Sequence, residues 1–222
     1  MREAEPISRK FVRRVMFKLS EHAEDERLTN LWKNVRKEMG LSEALSKTHY
    51  TARYLPSYAP ELVALRRFLD ARNQKSSLKG KRILHVGAGY GEFAYALRKF
   101  FKADALGVDY SDKNVDTGKR FLGPDHVRCG NVTHLMEPDE SRDAVVSDNF
   151  VGVDYLKPEE EERVITEARR VLKPGGIFVV SSPIEVEYHP AFDRGWEKVF
   201  HSGVSIDERS GTFKDLLVLR KK

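Results

Sequence analysis

The segment HVGAGYGEF, residues 85–93, constrains this chain more than any other stretch. Its glycines, Gly87, Gly89 and Gly91, alternate between a short apolar run, Ile83, Leu84 and Val86, and a helical pattern with Phe93, Ala96, Leu97 and Phe100 on one face. Glycine permits the tight strand-to-helix turn and lets the backbone approach a ligand without side-chain interference. The start of the following helix favours negative groups, because its first N–H groups are unsatisfied and its dipole is positive there. A glycine triplet alone is also compatible with a tight turn that binds nothing. A second signal strengthens the cofactor reading. Asp109 ends the next apolar run, ALGVD, twenty residues after Gly89, where a carboxylate can accept hydrogen bonds from ribose hydroxyls.

From Arg82 onward apolar runs alternate with helical patterns. Strands are expected at 82–86, 104–108, 126–129, 143–147, 177–181, 199–206 and 216–219. Helices are expected at 92–101, 112–121 and 158–171, with a short one around Leu135. The 158–171 helix carries Pro158 in its first turn, Glu159 to Glu162 at its positive end and Arg169 and Arg170 at its negative end, with Pro174-Gly175-Gly176 as its stop. Strand–helix alternation predicts a parallel α/β sheet that binds ligands at the carboxyl ends of its strands. The tail lacks room for a crossover helix, so DERSG is expected to turn an antiparallel hairpin.

The N-terminal third differs. Apolar residues recur at helical spacing around Phe11 and Val15, from Leu28 to Met39, and from Leu62 to Leu69. The polar stretch NQKSSLKGKR marks the passage to the second region, which gives a helical extension or lid over 1–75 and a cofactor-binding domain over 76–222. Charge follows the same division: residues 1–80 carry 17 Lys and Arg against 10 Asp and Glu, whereas residues 81–222 carry 22 against 24. The basic excess suits either solvated helix faces or an anionic partner. Cys129 is the single cysteine, which excludes an internal disulfide and a cysteine-based metal cluster. No apolar run reaches the ~18 residues of a membrane helix, and the first residues lack the apolar core of a signal peptide. A cytoplasmic protein without a membrane partner is therefore expected.

Several motifs resemble those of the class I S-adenosylmethionine-dependent methyltransferases, and the resemblance spans most of residues 53–222. GAGYG matches that family's GxGxG; the third glycine of the dinucleotide pattern would fall on Glu92. CGNV, 129–132, DAVVSDNF, 143–150, and above all ARRVLKPGGIFVVSSP, 168–183, match further family segments. The resemblance implies a Rossmann-like, seven-stranded, mostly parallel sheet with helices on both faces and an antiparallel C-terminal hairpin. It implies S-adenosyl-L-methionine as cofactor and S-adenosyl-L-homocysteine as product. It also implies that His85, Gly87, Ala88, Gly89 and Gly91 line the methionine end, Asp109 and Tyr110 the ribose, and Asn131 and Val132 the adenine. Ser147 would face the methyl donor. Arg53, by its position, would pair with the cofactor carboxylate.

His85 stands where the family usually carries an acid, and Asn131 replaces a more frequent aspartate whose acceptor role its side-chain carbonyl can fill. There is no NPPY-type tetrapeptide and no Pro-Cys pair, which disfavours DNA amino and cytosine-C5 methylation. Methyl transfer needs a base only where the acceptor must lose a proton, and Asp148 and His189 are the candidates; a turn cap and a surface histidine are their plainer alternatives. Tyr50, Tyr54 and Tyr58 either fold over the cofactor or pack the helical cap, while Phe150, Tyr155, Tyr188 and Trp196 could form an aromatic pocket wall. Three functions follow: methylation of a small-molecule substrate, methylation of RNA tracked by the basic N-terminal segment, and a non-catalytic partner subunit of the same fold.

Overall fold

A computed structural model describes residues 25–38, 58–69, 77–151, 156–182, 189–207 and 212–222. Two helices come first, α1 (Glu26–Glu38) and α2 (Ala59–Phe68). Then follow β1 (Arg82–Val86), α3 (Glu92–Phe101), β2 (Asp104–Asp109), α4 (Asp112–Leu122), β3 (Val127–Cys129), β4 (Arg142–Asp148), α5 (Pro158–Val171), β5 (Leu172–Ser182), β6 (Trp196–Asp207) and β7 (Thr212–Lys221). The strands form one sheet in the order β3-β2-β1-β4-β5-β7-β6. β1 to β5 pair in parallel and β7 pairs antiparallel with both β5 and β6. This is the expected seven-stranded sheet with its terminal hairpin. The order runs outward from β1 in one direction and from β4 in the other, so a crevice opens at the carboxyl ends between them.

Period-two alternation sends side chains of one strand to two cores. Ile83, Ala105, Ala144, Val146, Ile177, Val179, Leu216 and Val218 face one side, where α2 and α3 pack through Leu62, Leu65, Phe93 and Leu97. Leu84, Val86, Val145, Phe178, Val180, Leu217 and Leu219 face the other, covered by Val164, Ile165 and Ala168 of α5. Leu28 and Leu31 of α1 join the first core, as do Leu62 to Leu65 of α2. Asp25 caps α1, its carboxylate accepting from the N–H groups of Arg27 and Leu28 at 3.1 and 3.2 Å. The helical stretch around Phe11 and Val15 lies outside the described residues.

Two expectations are corrected. Around Leu135 there is no helix; residues 131–141 run as turns. Arg170 holds them from α5, donating to the carbonyls of Leu135 and Glu137 at 2.8 Å each, while Glu167 accepts from the Leu135 N–H at 2.7 Å. A run whose carbonyls are satisfied by an arginine does not need helical hydrogen bonds. The second correction concerns the start of β5, which was expected at Ile177. α5 ends at Val171, before the Pro-Gly-Gly, and Leu172 is already extended and paired with Arg142. Pro174 has no N–H for the Arg170 carbonyl, which accepts instead from Glu140 N–H at 3.0 Å. A register shift between Arg142 and Ala144 absorbs the extra residues before Ile177 resumes the ladder.

Gly118 in α4 lies directly against the carbonyl of Tyr90 in the glycine loop, and a Cβ there would overlap that backbone oxygen. Gly118→Ala would raise helix propensity by ~1 kcal/mol, yet it must push α4 off the loop. We expect a net loss of about 1–3 kcal/mol in urea unfolding, as for overpacking in a close-packed interior.

Candidate active site

The loop after β1 carries three left-handed glycines, with φ of 68°, 56° and 80° at Gly87, Gly89 and Gly91. A Cβ on Gly87 would strike Phe150 and one on Gly91 would strike Val127, so packing and φ both require glycine there. Gly89 is different: a Cβ there would meet nothing within 4 Å, so this bend of the loop faces open space. Ala88 is buried, with its N–H on the Val108 carbonyl at 3.1 Å. Its side chain fits because Gly107 on β2 has none.

Asp109 fixes the loop from β2. Its Oδ2 accepts from Gly89 N–H at 2.8 Å and its Oδ1 from Ser111 N–H at 2.9 Å. Each oxygen has a second lone pair, so the carboxylate retains two acceptor positions. Tyr110 beside it is 77% exposed, and Val132 is buried. Asn131 Oδ1 accepts from both the N–H and the hydroxyl of Thr133, at 2.9 and 2.8 Å. The backbone donor fixes the amide orientation, so Asn131 turns its NH2, and not its carbonyl, to whatever binds there.

Buried polar side chains collect at the same end of the sheet: Glu61, His85, Glu92, Asp109, Ser147, Ser181 and Ser182. His85 packs edge-on against Phe93 and Tyr58, with ring centroids 5.5 and 6.0 Å apart, and Tyr58 stacks on Phe93 at 4.5 Å. Tyr58 also donates its hydroxyl to Glu92 Oε1 at 2.9 Å. Ser181 Oγ lies 3.0 Å from Asp148 Oδ1 and in close contact with Glu61 Oε1; its single hydrogen serves one of them at a time. Ser147 is fully buried and accepts from Val151 N–H at 3.0 Å, which holds the turn after β4.

The remaining sequence candidates divide. His189 Nδ1 accepts from Ala191 N–H at 3.1 Å and so caps the short 3-10 turn Pro190–Asp193. Phe150 covers Gly87, but Trp196 is buried against Phe178, at the end of β6 that pairs with Lys221. That is the opposite end of the sheet from the carboxyl ends of β1 and β4, so Trp196 is not part of a pocket wall. Arg53, Tyr50, Tyr54, Tyr155 and Tyr188 lie outside the described residues. Glu61 and Glu92 were not among the sequence candidates. Glu92 reads locally as an ordinary acidic helix opener, and Glu61 meets Ser181 across 120 residues, which no local pattern reports.

Burial raises the Glu92 carboxyl to about 7, with Asp148 and Asp109 adding repulsion, against the lowering effects of its own N–H and of Tyr58. Its Oε2 is buried and has no hydrogen-bond partner among the described residues. No group of His, Cys, Asp and Glu among the described residues could hold a metal ion. The open bend at Gly89, the spare acceptors of Asp109 and the orphaned carboxyl oxygen of Glu92 fit a ligand with hydroxyls and a polar, donor-bearing end.

A doubly wound sheet with this loop at its switch point defines a nucleoside-cofactor protein. The sequence profile of the methyltransferase domain family matches residues 84–180. A probable S-adenosylmethionine-dependent methyltransferase of Mycolicibacterium smegmatis is 32% identical over 114 residues, 51% of this chain and 42% of that protein. A fatty-acid O-methyltransferase of the same organism is 32% identical over 129 residues, 56% of this chain and 43% of that one. The chain thus spans less than half the length of either relative. The crystal structure of an S-adenosylmethionine-dependent methyltransferase from Mesorhizobium loti superposes with a TM-score of 0.57 at 19% identity, over 75% of this chain and 100% of that one. Residues 84–180 thus match the methyltransferase domain family, and the chain is similar in sequence and fold to S-adenosylmethionine-dependent methyltransferases. No helix among the described residues is long and apolar enough to cross a membrane.

The Glu92 carboxyl carries a linkage consequence. A carboxyl held above its unfolded value binds protons more tightly in the native state, so its stabilising effect is complete below about pH 4.5 and is lost as pH rises through about 7. At pH 8 the ligand-free protein bears a cost of about 3 kcal/mol for ionising it. Glu92→Gln should therefore match the wild type near pH 4.5 and exceed it at pH 8 by up to about that amount, as measured by urea unfolding at both pH values.

Proposed function

We propose that the chain transfers a methyl group from S-adenosylmethionine to a small-molecule acceptor by direct displacement. The observation that carries this reading is the glycine loop pinned by Asp109 at the crevice between β1 and β4. Asp109 would take the ribose hydroxyls on its two spare lone pairs, and Gly87, Gly89 and Gly91 would let the backbone close on the methionine half. Tyr110, Asn131 and Val132 would border the adenine. His85 and Ala88 shape the loop from beneath.

S-adenosylmethionine, when bound, supplies a methyl group already activated on a sulfonium sulfur. The chain's task is then to hold an acceptor lone pair in line with that methyl, and such positioning is worth up to ~7–11 kcal/mol in well-oriented systems. An acceptor that must lose a proton has Asp148 at the end of β4, oriented by Ser181. His189 has one ring nitrogen engaged in its cap and is the weaker candidate. A small acceptor is favoured because α2 packs over the ends of β4 and β5 and leaves Glu61 and Ser181 fully buried there. The basic segment that motivates RNA lies mostly outside the described residues, and a non-catalytic partner subunit would have no need of the orphaned, destabilising Glu92.

Asp109→Ala tests the cofactor assignment. It removes a charged acceptor and the anchor of Gly89, so S-adenosylhomocysteine should bind more weakly by about 1–3 kcal/mol in calorimetry. Unchanged affinity would show that the ribose lies elsewhere.

A further inference from the structure

Glu92 sits at the first position of α3, directly after Gly91, with its side chain buried beneath Tyr58. A buried carboxylate costs several kcal/mol unless it is paired, and this one has only neutral donors, Tyr58 on Oε1 and its own backbone N–H, with no hydrogen-bond partner for Oε2 among the described residues. The groups around it deepen the problem. Asp109 at the end of β2 and Asp148 at the end of β4 repel it, and Tyr58 before α2 is its hydrogen-bond donor. His85 of β1 is turned edge-on to the rings of Tyr58 and Phe93, and Glu61 of α2 is engaged at Ser181. No ion pair to Glu92 is formed among the described residues. Such a group can be relieved by a ligand that brings a donor and a positive charge, and an ammonium does both.

Resting on the cofactor reading above, we infer that Glu92 is an ammonium-binding carboxylate that receives the α-amino group of the cofactor's methionine portion, with Tyr58 aiming its carboxyl. His85 carries no fixed negative charge, and the nearest carboxyl on the methionine side of the loop is the one displaced seven residues along the chain, onto the helix. The binding step is proton-coupled: below neutrality Glu92 holds a proton, the incoming ammonium displaces it to solvent, and the carboxylate and ammonium pair in its place.

The test compares two ligands that differ only at this end. S-adenosylhomocysteine carries the α-amino and carboxyl groups; 5′-methylthioadenosine keeps the adenosine and thioether and lacks both. For the wild type, S-adenosylhomocysteine affinity should rise about tenfold from pH 6 to pH 8, with proton release in calorimetry near pH 6.5, and 5′-methylthioadenosine should show neither effect. Glu92→Gln should lose at least about tenfold in S-adenosylhomocysteine affinity at pH 8 and its pH dependence, while binding 5′-methylthioadenosine as the wild type does, which also certifies its fold. Tyr58→Phe should move the pH midpoint upward, because a donor to the ionised carboxylate is lost. A Glu92→Gln protein that keeps the wild-type pH dependence, or that loses both ligands equally, overturns the assignment. A wild-type chain that binds neither ligand overturns the cofactor reading itself, and the assignment with it.

Discussion

The carboxylate of Asp109 is where β2, the glycine loop and α4 meet, and the geometry of the whole crevice depends on how it is satisfied. A buried charge must be hydrogen-bonded, and a partner arginine would consume both its oxygens. Here two backbone N–H groups do the work, from Gly89 and Ser111. They stabilise the charge without neutralising it and leave lone pairs for a ligand. Ser111 in turn caps α4 by accepting from Asn114 N–H at 3.3 Å, and α4 brings Gly118 against the Tyr90 carbonyl. One carboxylate and one missing Cβ therefore lock the loop between strand and helix before anything binds, so little ordering cost is left to be met on binding.

Most of this architecture could be read from the chain because its information is local. β1 and α3 begin and end where periodicity and the glycines put them, and α5 spans 158–171 as its proline, acidic first turn and basic last turn dictate. The central strands β1, β4 and β5 were visible because they carry apolar residues on both faces of a covered sheet. What escaped depended on partners distant in sequence. The turns near Leu135 look helical by composition and are held open by Arg170, some thirty-five residues later. Likewise β5 starts early because Arg142, not the local sequence, pairs with Leu172. The carbonyl of Asn131, expected as an acceptor, is taken by Thr133 two residues on, which a reading of residue types alone does not report.

The site's carboxyls were the least legible part, for a reason rooted in energetics. Sequence patterns record what stabilises a fold, and Glu92 does the opposite when it ionises with no ligand bound. A glutamate at a helix start is worth a few tenths of a kcal/mol through the dipole and is therefore common. Nothing in EFAYAL distinguishes such a residue from one driven under a tyrosine, because Tyr58 arrives from a segment thirty-four residues earlier.

That segment also changes what the N-terminal third does for the site. α2 is basic in its last turn and apolar along the side that joins the sheet core, while its first turn delivers Glu61 and, just before it, Tyr58 to the strand ends. The basic residues of α2, Arg66 and Arg67, thus lie in its last turn, and what this stretch contributes at the strand ends is a carboxylate and a phenol. Carboxyls gathered in this way, Asp109, Glu92 and Asp148, disfavour an anion at the strand ends and lower the cost of admitting a cation. On the proposed reading, a sulfonium cofactor with an ammonium arm would meet that requirement; its demethylated product, one positive charge poorer, would meet it less well. On that reading the Glu92 carboxyl, which weakens the empty fold when it ionises, would favour substrate-side over product-side occupancy.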